Sequence, residues 1–158
     1  MKKKLSTHAQ TAKLIREVLR KEFNFTVFCV RSSVFAGGNS VQVEWTNGPS
    51  YDQVMKVIGK YQYGHFDGMT DCYDHSNCRD DIPQVKYVQV RREISRDLKE
   101  ILFDIMRKKY EGWQHLRDLD QCCSSLMEKW RAWSANEYIH RMIASRDLRN
   151  INVNELIA

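Results

Sequence analysis

Ala12, Ile15, Val18 and Leu19 fall on one face of a helix that opens at Thr7, where Gln10 three residues on gives a capping-box pattern. Lys13, Arg16, Arg20 and Lys21 fall mostly on the other face. Phe25 to Ser32 is apolar, β-branched and aromatic, and predicts a strand. Ser40 to Thr46 alternates, with Val41, Val43 and Trp45 directed inward and Gln42 and Glu44 outward, and predicts a second strand. The segment Val34 to Asn39 between them, with its paired glycines, reads as the long tip of a hairpin. Asn47-Gly48-Pro49 stops the second strand, and Ser50 with Gln53 caps a helix that carries Val54, Val57, Ile58 and Tyr61 on one face.

From Tyr61 to Pro83 the periodicity stops. Gln84 to Arg91 then predicts a third strand whose apolar residues occur on both parities, the pattern of a central strand covered on both faces. Ser95 caps a long helix with the stripe Leu98, Ile101, Leu102, Ile105 and Met106, and Gly112 reads as its C-cap. A second helix is expected from Trp113 to Trp133 on Leu116, Leu119, Leu126 and Trp130. A third opens at Ser134 with Glu137 as capping partner and carries Ile139, Met142 and Ile143. Asn150 to Ala158 is expected to fray.

The order helix, strand, strand, helix, loop, strand and three helices predicts an α+β fold. A small, mainly antiparallel three-stranded sheet has helices packed on it, plus a C-terminal helical arm. The chain divides into an α+β part, 1–95, and C-terminal helices, 96–158, expected to pack as one unit.

Composition narrows the setting. The 158 residues include four Trp, seven Tyr and six Phe, enough for a packed core. No apolar run reaches membrane-spanning length, and no apolar stretch follows the charged start MKKKLSTHAQ as a secretory signal requires. Five cysteines, an odd count, argue for reduced thiols in a cytoplasmic protein, with Cys29, Cys122 and Cys123 expected to be buried as small hydrophobes. The net charge of +5 is unevenly spread. The first helix is basic, whereas Asp67, Asp71, Asp74, Asp80 and Asp81 face only Arg79 in the 61–83 segment.

That segment also carries Tyr61, Tyr63, His65, Phe66, Cys72, Tyr73, His75 and Cys78. Long irregular loops within domains are functional or disordered, and disordered ones are poor in aromatics. The expectation is an ordered recognition loop. Arg79 is expected to be held by an Asp of its own loop, so that Arg79→Ala destabilises the domain, and His65 and Asp67 to be fixed by hydrogen bonds.

Certain strings sharpen the setting. RSSVFAGGNSVQVEWTNGPS, KYQYGHFDGMTD and SNCRDDIPQVKYVQVRREIS resemble the large polyvalent protein-associated domain family that is twenty-ninth of its series. Tyr63-Gly64-His65-Phe66-Asp67 and Arg79-Asp80-Asp81 are the most specific parts. The resemblance covers roughly Ala12 to Ser95 and implies a phage, plasmid or other mobile element of bacteria. It carries over no catalytic residues.

The function expected is a non-catalytic accessory binding protein that acts against host defence. It contacts a host or mobile-element protein through Tyr61, Tyr63, His65, Phe66, Asp67, Asp71, Arg79, Asp80 and Asp81. One alternative is a metal-dependent phosphodiesterase or nuclease-like hydrolase using His65 and the Asp cluster. Another is nucleic-acid binding through Lys13, Arg16, Arg20 and Lys21, extended by Lys2–Lys4, Arg31, Arg91 and Arg92. No cofactor is expected. Cys72-x-x-His75-x-x-Cys78 is a weak zinc candidate, because its spacing is not that of paired C-x-x-C motifs. Trp113, Trp130 and Trp133 could equally cover the sheet or form the seam of a homo-oligomer.

Overall fold

The fold is that of a computed structural model, in which the described residues are 6–124, 126, 128 and 131–149. It divides into two compact units, Met1–Arg92 and Glu93–Ala158.

In the first unit, helix α1 (Thr7–Glu22) buries Thr11, Ala12, Ile15 and Leu19. The capping box expected at Thr7 does not form: Ser6 is the N-cap, and its hydroxyl meets the His8 ring instead of a helix N–H. Strands β1 (Phe28–Phe35) and β2 (Gly38–Thr46) pair antiparallel, with Phe35 opposite Gly38 and Phe28 opposite Trp45. The first strand thus starts three residues later than its composition suggested, and the tip is the tight turn Ala36-Gly37. The turn fixes the register, so Phe25 and Val27 are left exposed although they look like strand residues. The register also turns Cys29 outward, against the expectation of burial, because Val30 takes the inward parity. Val41, Val43 and Trp45 face the core as expected.

Asn47 and Gly48 take positive φ, 56° and 60°, and end β2. Helix α2 (Tyr51–Ile58) begins with the complete Ser50–Gln53 capping box and buries Val54 and Ile58. A single 3-10 turn, Gly59–Tyr61, follows it.

Within the segment expected to be irregular lies a short antiparallel hairpin, β3 (His65–Asp67) and β4 (Cys72–Asp74). Strand β5 (Tyr87–Glu93) then joins the main sheet in the order β1-β2-β5. The central strand is therefore β2, and β5 lies beside it. The expected double-sided burial of β5 is not met. Val88 is buried, while Tyr87 joins a surface ring cluster instead of a second core. Lys86 N–H is bonded at Asn39, near the start of β2, and Arg92 donates to the Asn47 and Gly48 carbonyls beyond its end. The two strands therefore run the same way. The three-stranded sheet is mixed, and the fold is α+β.

In the second unit, α3 (Arg96–Lys109) starts at Ser95, whose hydroxyl accepts the Leu98 N–H. Leu102, Phe103 and Met106 are its buried residues, whereas Ile101, placed in the stripe by spacing, is exposed. The helix ends at Tyr110, two residues before the glycine expected to cap it.

The helix expected from Trp113 is replaced by turns. Trp113 and Leu116 N–H groups reach back three residues, to the Tyr110 and Trp113 carbonyls. The Asp118 carboxylate accepts the Asp120 N–H, and Gln121 accepts that of Arg117. Such side-chain bonds compete with helix. Cys122, expected to be buried, is exposed beside Ser134 in an isolated antiparallel bridge, and Cys123 is only half-buried. Helical backbone returns at Ser124, Leu126 and Glu128.

Helix α4 (Ala135–Ile143) opens at Ser134, which accepts the Glu137 N–H, and buries Ala135, Ile139 and Ile143. Trp113 is fully buried and Trp133 is exposed. Trp130, Lys2–Lys4 and Asn150–Ala158 lie outside the described residues. No helix among the described residues is long and apolar enough to cross a membrane.

Candidate functional site

The segment from Tyr61 to Lys86 is ordered by backbone pairing at its two ends and by three amide side chains between them. Tyr63 N–H donates to the Val85 carbonyl, and Val85 N–H to that of Tyr61 (3.1 and 2.9 Å). Gln84 sits where the chain returns. Its Nε2 donates to the carbonyls of Lys60 and Asn77 (2.7 and 2.8 Å), and its Oε1 accepts the Arg79 N–H (2.7 Å). Gln62 Nε2 donates to the Gly64 carbonyl, and its Oε1 accepts Val88 N–H. Asn77 Nδ2 donates to the Gln62 carbonyl. An amide offers donors and an acceptor together, so each can satisfy backbone groups of opposite polarity. None of these three residues was singled out from the sequence. They belong to no spaced motif, and only their position inside an irregular stretch could have marked them.

Aromatic packing supplies the remaining order. Tyr61 is buried in the core, as its helical spacing implied. Tyr63 stacks on the His75 ring at 5.3 Å and 9°, and Tyr73 meets Tyr63, His75 and Tyr87 edge-on. The Tyr73 hydroxyl donates to the Lys86 carbonyl, and Lys86 Nζ lies over both the Tyr73 and Tyr87 rings while donating to the Gly37 carbonyl. Burial, then the neighbouring Tyr63 and Tyr87 hydroxyls, push the Tyr73 phenol up to about 12. Burial also raises Tyr61 and Tyr63.

The polar residues expected to act together point to different partners. Asp67 accepts the Met69 N–H (2.9 Å) and the Thr70 hydroxyl (2.9 Å), and these bonds hold its carboxyl below the usual range. His65 Nδ1 meets Ser76 Oγ at 3.2 Å, with Asp74 at 3.9 Å. Arg79 forks onto Asp81 (Nε–Oδ1 2.9 Å, Nη2–Oδ2 2.7 Å), and the guanidinium lowers the Asp81 carboxyl. Arg79 is thus held by its own loop as expected. Both partners are exposed, however, so water screens the pair and the expected large loss of stability on removing Arg79 does not follow. Asp71, with φ 54°, and Asp80 are exposed.

Cys72 lies on β4 opposite Asp67, His75 is in the ring stack, and the Cys78 thiol donates to the Tyr63 carbonyl. Among the described residues no three His, Cys, Asp or Glu side chains are grouped to hold a metal ion.

The large apolar side chains this segment presents outward are at the hairpin. Met69 is 94% exposed and Phe66 52% exposed, on either side of the fixed Asp67. On α1, Arg16 Nη2 donates to the Val30 carbonyl (2.6 Å), and Lys13 lies 3.9 Å from Glu17. Arg20 and Lys21 are exposed near the end of the helix.

Residues 6–97, more than half of the 158, match large polyvalent protein associated domain 29. No curated protein and no solved structure matches the chain. The matched region takes in the sheet, both helices of the first unit and the whole 61–86 segment. The chain belongs to the large polyvalent protein associated domain 29 family, whose domains are typical of polyvalent proteins from mobile elements.

Proposed function

We propose that this chain is a non-catalytic accessory binding protein of a mobile element, and that it contacts a host protein of defence or DNA processing through the β3–β4 hairpin. The observation that carries this reading is the contrast between tip and base. Phe66 and Met69 project into solvent from a base held by Gln62, Asn77, Gln84 and the ring cluster. Exposed apolar anchors on a pre-ordered support bind with little ordering cost. Asp71, in the turn of the same hairpin, adds negative charge beside them, which suits a partner with a basic rim around an apolar pocket.

The hydrolase alternative receives less support, because His65, Asp67 and Asp81 are each committed to a separate local partner. Nucleic-acid binding through α1 is weakened by the inward use of Arg16.

The test is affinity capture from bacterial host lysate with the full chain and with a Phe66→Ala, Met69→Ala double variant. A protein recovered by the wild type and lost by the variant is the expected result. It is then purified and its direct binding measured. Equal recovery of every protein by both chains sinks the reading.

A further inference from the structure

Helix α1 packs on one face of the β1-β2-β5 sheet, the face of Val30, Val41, Val43, Trp45 and Val88. Side chains alternate along a strand, so the opposite face carries Cys29, Arg31, Ser33 and Phe35 of β1, Ser40, Gln42 and Glu44 of β2, and Tyr87, Gln89, Arg91 and, at its end, Glu93 of β5. Of these, Cys29, Arg31, Ser33, Phe35, Gln89, Arg91 and Glu93 are exposed.

This face is graded along the strands. At one end Phe35, 46% exposed, stacks with Tyr87 at 6.1 Å and 24°. The Tyr87 ring continues edge-on into Tyr73, and Lys86 Nζ sits 5.0 and 5.5 Å from the Tyr73 and Tyr87 ring centres. Gly38, at φ +143°, leaves room for this lysine, since a Cβ there would meet Lys86 Cδ at 2.7 Å. The middle is neutral and able to hydrogen-bond: Ser33 shares a 2.8 Å bond with Ser40, and Gln42 and Gln89 lie on the same face. Four residues along β1 from Phe35, about 13 Å at the rise of a strand, is Arg31, and four along β5 from Tyr87 is Arg91. Glu44 lies 3.7 Å from the Arg31 guanidinium and accepts from Gln42.

We infer that this open sheet face binds single-stranded nucleic acid, with bases stacked at the Phe35–Tyr87 end and phosphates held at Arg31 and Arg91. Exposed rings accept any unstacked base, and cations at a fixed distance from them hold the backbone. A duplex keeps its bases stacked inside and offers the rings nothing. The chain's charge of +5 favours a polyanion, and this site is separate from both α1 and the hairpin tip. Glu44 acts as the competitor for Arg31, so neutralising it must strengthen binding.

The test is fluorescence anisotropy of the full chain with labelled oligothymidylate, oligouridylate and a duplex at low salt. Saturable binding of a single strand is expected, with the two oligomers deciding between DNA and RNA. Phe35→Ala should weaken it at least about fivefold. Arg31→Ala should weaken it and flatten the salt slope by about 0.7. Glu44→Gln should strengthen it, and a Lys13→Ala, Lys21→Ala variant should bind as wild type does. The inference is overturned if neither oligomer binds saturably, if the duplex binds as tightly, or if Phe35→Ala and Arg31→Ala both bind as the wild type does.

Discussion

Replacing Gly64 by alanine should detach the hairpin from its base. Gly64 is buried, and a Cβ on it would stand 1.9 Å from the Asp74 carbonyl oxygen, 2.9 Å from its carbon and 2.7 Å from Tyr73 Cε1. Two of those atoms are backbone, so no rotamer change relieves the overlap. Restoring an ordinary carbon–oxygen approach of about 3.3 Å requires β4 to move by roughly 1.5 Å. That shift breaks the Tyr73 bond to the Lys86 carbonyl, about 1 kcal/mol. It also opens the ring contacts around His75, about 0.5–1.5 kcal/mol per pair. With the strain of overpacking, about 1–3 kcal/mol, the expected cost is about 3 kcal/mol. In urea this lowers the unfolding midpoint by about 1–2 M, read by far-ultraviolet circular dichroism. Gly68 at the tip is the internal control. A Cβ there meets nothing within 4 Å, so Gly68→Ala should be neutral or stabilise by up to about 1 kcal/mol. A Gly64→Ala variant with the wild-type midpoint would refute the packing account of the Tyr63–Asp67 motif.

Gln84→Ala should cost about 1–3 kcal/mol, because three backbone groups lose a partner at a site that water reaches in part, and thermal unfolding checks it. Arg79→Ala should leave the melting temperature within about 2 °C, since its fork to Asp81 is exposed. A larger drop would mean that the pair holds the loop after all. The same fork makes Asp81 a group with a lowered folded pKa. Its contribution is present above the ordinary carboxylate value and lost as pH falls below about 4. Tyr73, raised to about 12, works in the opposite sense: its contribution is complete below about pH 10 and is lost as pH rises through the folded value. Ultraviolet titration should show Tyr73 ionising well after the exposed tyrosines, within a late group that also holds the raised Tyr61, Tyr63 and Tyr138, and Tyr73→Phe should lower the amplitude of that late group by one tyrosine.

The parts of the fold that were legible in the sequence rest on local rules. Val41, Val43 and Trp45 alternate because β2 has one buried face, and Ser50 with Gln53 forms the capping box that its spacing announced. What failed was set by tertiary choices. FTVFCV has strand composition throughout, but only the Ala36-Gly37 turn decides which residues pair, and it leaves Phe25 outside. Leu116, Leu119 and Leu126 keep helical spacing, yet the Asp118 and Gln121 side chains bind the backbone in turns instead. Both parities of β5 are apolar because Tyr87 belongs to a ring cluster, an arrangement no period encodes. In the candidate site, the Arg79–Asp81 fork was readable from adjacency. The placing of His65 against Ser76 and of Asp67 in the hairpin turn was not, because both follow from the β3–β4 hairpin.

The central claim is that a stretch without sequence periodicity is a rigid platform with an accessible tip, and hydrogen exchange along Tyr61–Val88 tests it most directly. The amides of Tyr63, Asn77, Arg79, Val85, Lys86 and Val88 all have acceptors. The account predicts that they exchange far more slowly than an unstructured chain, while Gly68 at the tip exchanges freely. Uniform exchange at the unstructured rate from Tyr63 to Lys86 would contradict it.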